Sequence, residues 1–189
     1  MSSSEMRIGI VGTAGTGKSS LARGLAESLG LQLNLSKTIT QKILDRDGYD
    51  YGSGIQVEKF LATEVRQRQI LEDTIQSNQL SNNFVSDRTV IDLAAYAIAE
   101  LHSVNPDVLN EIYNICFANV GRYTHIAFCE WNSINLIDNG RRTLNPYYQF
   151  VIHSIEKELC HEWGCKPIFL GVMDDDKRVK FVLDELKRR

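Results

Sequence analysis

A chain of 189 residues, 43% hydrophobic and 24% charged, has the makeup of a soluble globular protein and the length for one ordinary domain with one sizeable core. Its net charge of −3 and pI of about 5.8 exclude a broad basic face for coating nucleic acid, while leaving room for a local basic site. The polar start, with neither a signal peptide nor an apolar run near the ~18 residues of a membrane span, predicts a cytoplasmic protein.

Strand-like and helix-like segments alternate along the chain, which predicts an α/β domain with a mainly parallel sheet spanning residues 1–189. Residues 6–11 read as a short buried strand and 18–29 as a helix stopped by Gly30. Alternation over 31–35 predicts a second strand. Ile39, Ile43 and Leu44 predict a short helix closed by Gly48. Apolar positions at Val57, Phe60, Leu61, Val65, Leu71 and Ile75 predict one long helix over 55–79, broken by Asn82-Asn83. A strand over 84–86 ends at Asp87-Arg88, and Ile91, Ala94, Ala95, Ile98 and Leu101 trace the buried face of the next helix. Pro106 suits the first turn of another helix, running to about Asn119. A fourth strand is predicted over 123–130. Residues 131–146 are polar, carry a turn signal at Asn139-Gly140 and predict a mobile loop, followed by a helix to about Trp163. A fifth strand over 167–172 precedes a last helix. That helix starts with Asp174, Asp175 and Asp176 and ends with Lys187, Arg188 and Arg189, a polarity that favours its dipole.

Cys116, Cys129, Cys160 and Cys165 lack C-x-x-C spacing and read as free thiols in a reducing compartment. Cys160, His161 and Cys165 lie close together but fall short of the four ligands of a structural zinc site. His102, His125, His153 and His161 form no triad or ligand pattern.

The decisive segment is Gly12-Thr13-Ala14-Gly15-Thr16-Gly17-Lys18-Ser19, which fits G-x-x-x-x-G-K-[ST] at every fixed position. Successive backbone N–H groups turned inward can solvate phosphates, and glycines without a Cβ permit that path. The helix that follows adds unpaired N–H groups and the positive end of its dipole. In this pattern the lysine, here Lys18, reaches the β- and γ-phosphates of ATP, and the hydroxyl, here Ser19, ligates Mg2+. Ser20 either touches an α-phosphate or is simply a helix residue.

P-loops serve switches, motors and kinases alike. The chain lacks an N-K-x-D guanine reader and an L-S-G-G-Q-like transporter signature, and elimination favours a small-molecule kinase. Asp87 and Arg88 end a strand at the rim where a parallel sheet binds ligands. Asp87 is placed either to act on an attacking hydroxyl or to hold Mg2+ through water, and Arg88 to grip a phosphate; a helix cap beside a surface arginine is the plainer alternative. Asp138-Asn139-Gly140-Arg141-Arg142 in the polar loop fits a cationic lid that offsets transition-state charge, or else a solvated basic turn; spacing does not rank Arg141 against Arg142. Tyr49, Tyr51 and Phe60 are placed to stack a planar base or to pack at the rim of the cleft.

The P-loop, Ser86-Asp87-Arg88-Thr89 with the following Ile91-Asp92-Leu93-Ala94-Ala95-Tyr96, and the Asp138 to Pro146 segment together resemble the NadR-like P-loop kinases and ATPases. That group includes a nicotinamide riboside kinase domain and is similar to thymidylate and deoxynucleoside kinases. The resemblance implies a three-layer α/β/α P-loop NTPase fold with a five-stranded sheet and a lid. It also implies Asp87 and Arg88 at the acceptor site and Arg141 or Arg142 in the lid. Many relatives carry a carboxylate just past the second strand; here the segment is Leu35-Ser36-Lys37-Thr38-Ile39-Thr40, which leaves Asp87 as the base. The expected activity is ATP- and Mg2+-dependent phosphoryl transfer to a nucleoside, nucleotide or related small acceptor. A hydroxyl or 5′ end in nucleic acid is a less favoured acceptor, and an ATPase switch without an acceptor is the reading from a different class.

Overall fold

The computed structural model describes residues 5–53, 55–102, 106–131 and 145–189, with the Glu58 side chain left aside. Five strands, β1 (Arg7–Val11), β2 (Gln32–Asn34), β3 (Phe84–Ser86), β4 (His125–Cys129) and β5 (Ile168–Leu170), form one sheet in the order β2-β3-β1-β4-β5. Every pairing is parallel, with Gly9 opposite Ser86 on one side of β1 and Ile126 on the other. The parallel five-stranded fold expected from the alternation of elements is therefore present, and β1 lies at its centre.

Successive strand residues point to opposite faces, and the chain uses this to build two cores. Ile8, Ile10, Val85, Ala127 and Cys129 face the layer made by α1 (Lys18–Leu29) and α8 (Asp175–Arg188). Val11, Phe84, Ile126 and Phe128 face the other layer, which includes α2 (Ser36–Arg46), α4 (Glu64–Gln79), α5 (Val90–Leu101), α6 (Pro106–Val120) and α7 (Pro146–Glu162). α1 and α8 pack closely: a Cβ on Gly24 would sit 2.6 Å from a methyl of Val179.

The long helix expected over 55–79 is two helices, α3 (Val57–Leu61) and α4. Ala62 leaves helical geometry (ψ 50°), and Thr63 is extended, its side chain accepting the Arg66 N–H at 3.4 Å with Glu64 in the first turn. A Thr N-cap followed by an acid is a start signal, and it outweighs the apolar spacing that appeared to run through it. Val65, counted as an apolar position of that helix, is 73% exposed. Asn145 and Pro146, assigned to the polar loop, are the N-cap and first residue of α7; the Asn145 side chain accepts the N–H groups of Tyr147 (3.0 Å) and Tyr148 (3.4 Å). Residues 132–144 of the expected lid, with Arg141 and Arg142, lie outside the described residues.

Among the described residues, no helix is long and apolar enough to cross a membrane. Cys116, Cys129 and Cys160 are buried, Cys165 is half-buried, and all four are free thiols.

Candidate nucleotide and acceptor site

β1 delivers the chain to the centre of the sheet's carboxyl edge, where Gly12 to Ser19 turn into α1. Gly12 (φ 146°), Gly15 (φ 87°) and Gly17 (φ 80°) all take left-handed backbone angles. At Gly12 the requirement is also spatial, since a Cβ would lie 2.8 Å from the Cys129 carbonyl oxygen on β4. Thr13 and Thr16 are buried within the loop, and the Thr16 hydroxyl donates to the Thr13 carbonyl at 2.9 Å. The buried Thr13 hydroxyl finds no partner among the described residues. Ala14 is half-buried and Ser20 is exposed, on the outward side of α1's first turn.

Lys18 folds back over the loop. Its ammonium donates to the carbonyls of Gly12 and Thr13 (2.9 Å for the latter) and lies 3.9 Å from Asp92 Oδ1. Ser19 and Asp87, expected as a pair around Mg2+, are brought together: the Ser19 hydroxyl donates to Asp87 Oδ2 at 2.7 Å. The other oxygen of Asp87 accepts the Ser36 N–H at 2.5 Å, and the residue is 1% exposed. The second and third strands and the P-loop are thus joined through one carboxylate.

Arg88 is half-buried, with its guanidinium 5.0 Å from the Tyr96 ring centroid. Its buried Nε donates to no group among the described residues. Beside it a small cleft between α2 and α4 is lined by Asn34, Ser36, Ile39, Thr74 and Asn78. Tyr49, Tyr51 and Phe60 pack on one another edge-on, with Tyr49 4.9 Å from both neighbours, and the Arg66 guanidinium lies 3.8 Å from the Phe60 centroid.

Three buried charged residues escaped sequence reasoning. Asp92, 0% exposed, caps α5 and reaches the P-loop: Oδ2 accepts the N–H and hydroxyl of Thr89 at 2.8 Å each, and Oδ1 accepts the Gly12 N–H at 3.3 Å. The T-x-x-D spacing of Thr89 and Asp92 is a capping-box signal, so half of this role was readable. Glu156 on α7 is also 0% exposed, within hydrogen-bonding reach of the Asp92 carboxyl. Burial pushes both carboxyls up, with Glu156 well above its ordinary value; the neighbouring Asp92 charge adds to that shift, and Lys18 and Arg88 oppose it. Arg178 of α8, 0% exposed, donates to the Thr16 carbonyl at 2.6 Å and the Met173 carbonyl at 3.1 Å, tying the segment after β5 to the P-loop. Both Glu156 and Arg178 sit on otherwise apolar helix faces, next to Ile152 and Leu159 or Val182, and that mismatch is the only signal the sequence offers.

Glu130, at the end of β4, lies 3.2 Å from His153 Nε2 and 3.6 Å from Lys157. Burial lowers the His153 pKa.

A family profile described as an AAA domain matches residues 7–175. The chain belongs to that family. No curated protein sequence matches it significantly. Among solved structures it is similar to deoxyadenosine kinase from M. mycoides with bound dATP, at 14% identity and a TM-score of 0.69, over 96% of this chain and 100% of that one. The same kinase with products bound gives 18% identity and a TM-score of 0.68, over 97% and 99%. Shikimate kinase from Aquifex aeolicus gives 15% identity and a TM-score of 0.58, over 96% of each chain. The fold of this family member is that of P-loop kinases.

Proposed function

We propose that this chain is a cytoplasmic phosphotransferase, one P-loop kinase domain over 1–189, that uses ATP and Mg2+ to phosphorylate a nucleoside, a nucleotide or a related small acceptor. The observation that carries this reading is the Ser19–Asp87 hydrogen bond, which puts a hydroxyl from the start of α1 and a carboxylate from the end of β3 together at the mouth of a P-loop, with Arg88 next in sequence. Hard oxygen donors of this kind fit Mg2+, which takes one or two protein ligands and leaves the rest of its sphere to phosphate and water. ATP with Mg2+ supplies the transferable phosphoryl group and offsets its charge.

The chain's own residues divide the remaining work. The amides of Gly12 to Ser19 surround the phosphates, and Lys18 exchanges its two carbonyl partners for phosphate oxygens. Asp87 positions Ser19 and would hold Mg2+ through water. Because both of its oxygens already accept hydrogen bonds, it serves as a base toward an acceptor hydroxyl only after releasing one of them. Arg88, whose buried Nε beside the α2–α4 cleft donates to no group among the described residues, grips the acceptor, and Arg141 or Arg142 closes over the transferring group. The nucleoside kinase neighbours support a nucleoside-like acceptor of the NadR-like kind, and the shikimate kinase neighbour shows the same fold serving another small molecule.

Radiolabel transfer from γ-labelled ATP to a panel of nucleosides, nucleotides, short oligonucleotides and other small hydroxyl compounds tests this. Label in a small acceptor is the expected result. Release of free phosphate only, unaffected by every acceptor and stimulated by a protein partner, would replace the kinase reading with an ATPase switch.

A further inference from the structure

Two carboxyls buried side by side behind the P-loop differ sharply in their hydrogen-bond donors. Asp92 accepts from the Gly12 N–H, the Thr89 N–H and the Thr89 hydroxyl, and faces the Lys18 ammonium at 3.9 Å. Glu156 receives nothing: among the described residues, no N–H or O–H donates to either of its oxygens. A buried carboxylate without donors is costly, and the cheapest remedy is to keep a proton. The Asp92 carboxylate is the acceptor within reach for that proton.

We propose that Asp92 and Glu156 act as one unit that holds a single proton and a single negative charge, and that this unit positions Gly12 and Lys18 for a nucleotide's phosphates. The proton resides on Glu156, because Asp92 already has three donors, and the O–H of Glu156 supplies a fourth. With one charge, the pair balances Lys18 without overwhelming it, so the ammonium remains free to turn to phosphate. Loss of the proton puts two like charges in contact in a low-dielectric site. Asp92 is then driven off the Gly12 amide, or Lys18 is held inward; either way phosphate binding weakens.

Among the described residues, the other titratable and charged groups facing the pair are few. Lys18 and Arg88 oppose protonation; Cys129 on β4 and Cys160 on α7 face it as thiols, and Tyr123, before β4, faces Asp92 as a neutral phenol. Burial pushes the Cys129 thiol up to about 11, so it adds no charge at neutral pH.

Two measurements test the proposal. In protein labelled with 13C at glutamate carboxyls, the resonance lost in Glu156→Gln identifies Glu156. It should show the shift of a protonated acid at about pH 7, where ordinary glutamates are ionised. An ionised shift there would overturn the proposal. In the second measurement, ADP binding is followed by calorimetry from about pH 6 to 9.5, spanning the raised titration. Wild type should lose affinity about tenfold as Glu156 ionises. Glu156→Gln, whose amide still donates to Asp92, should bind within about twofold of wild type near pH 7 and lack that alkaline loss. Glu156→Leu, without a donor, should bind about tenfold more weakly throughout. Equal weakening by Gln and Leu, or an unchanged alkaline loss in Glu156→Gln, would refute the positioning role. The binding arm rests on the phosphate-cradle reading and the NMR arm does not, so failure of one is distinguishable from failure of the other.

Discussion

Replacing Arg178 with Met probes whether the C-terminal helix holds the P-loop in shape. The guanidinium is fully buried and donates to two backbone carbonyls, Thr16 at 2.6 Å and Met173 at 3.1 Å, from elements far apart in sequence. Met keeps much of the aliphatic volume but donates nothing, leaving a buried acceptor at Thr16 and a part-buried one at Met173, at about 1–3 kcal/mol each. Part of that is recovered, because a buried cation no longer has to be desolvated. A net loss of about 2–4 kcal/mol follows, and at ~2–4 °C per kcal/mol for a chain of this size the melting temperature should fall by roughly 5–15 °C. The same change frees Thr16 within the loop, so ATP affinity measured by calorimetry below the melting transition should also drop. Arg178→Lys, able to reach one carbonyl, should fall between the two. A melting temperature within a degree or two of wild type, together with unchanged ATP affinity, would refute the link.

Lys18→Ala should abolish phosphoryl transfer while circular dichroism still shows the folded chain, with a melting curve lowered by the loss of two carbonyl contacts and of the cation beside Asp92; substantial retained transfer would contradict its role. Asp87→Asn should lower turnover far more than ATP affinity, as read from a full kcat and KM determination. Gly12→Ala combines a φ of 146° with a Cβ 2.8 Å from the Cys129 carbonyl, and should cost about 1–3 kcal/mol in chemical denaturation and also remove nucleotide binding. Glu156 gives a pH dependence of fixed sign: its folded pKa lies well above 4.5, so the folded state holds the proton more tightly than the unfolded chain does. Its contribution to stability is full below the unfolded value and declines as pH rises toward the folded one; Glu156→Gln should remove that slope from a series of thermal melts.

Local chemistry made much of the fold and half of the site readable. The helix over 18–29 was bounded by Lys18 after three P-loop glycines and by Gly30 in a left-handed stop (φ 63°), and both ends fall where those residues require. Short apolar runs, with alternation at 31–35, located all five strands within a few residues; β1, β3 and β4 bury both faces, while Gln32 on β2 and Phe169 on β5 are exposed. The break before Glu64 was missed because Leu61 and Leu71 are both buried, and their spacing reads as one apolar stripe across a kink; Thr63 carried the contrary signal. Ser19 and Asp87 could each be picked out from motifs, but their contact depends on β3 lying next to β1, a matter of strand order. Asp92, Glu156 and Arg178 depend on tertiary structure still more. Each acts on the P-loop from a different helix, and a charged residue on an apolar helix face announces burial without saying what it meets.

Calorimetric titration of the Mg2+-supplied protein with a non-hydrolysable ATP analogue tests the phosphate cradle most directly. One analogue bound per chain, with affinity lost in Lys18→Ala, is the predicted result. Absence of any binding to well-folded protein would contradict the account at its root.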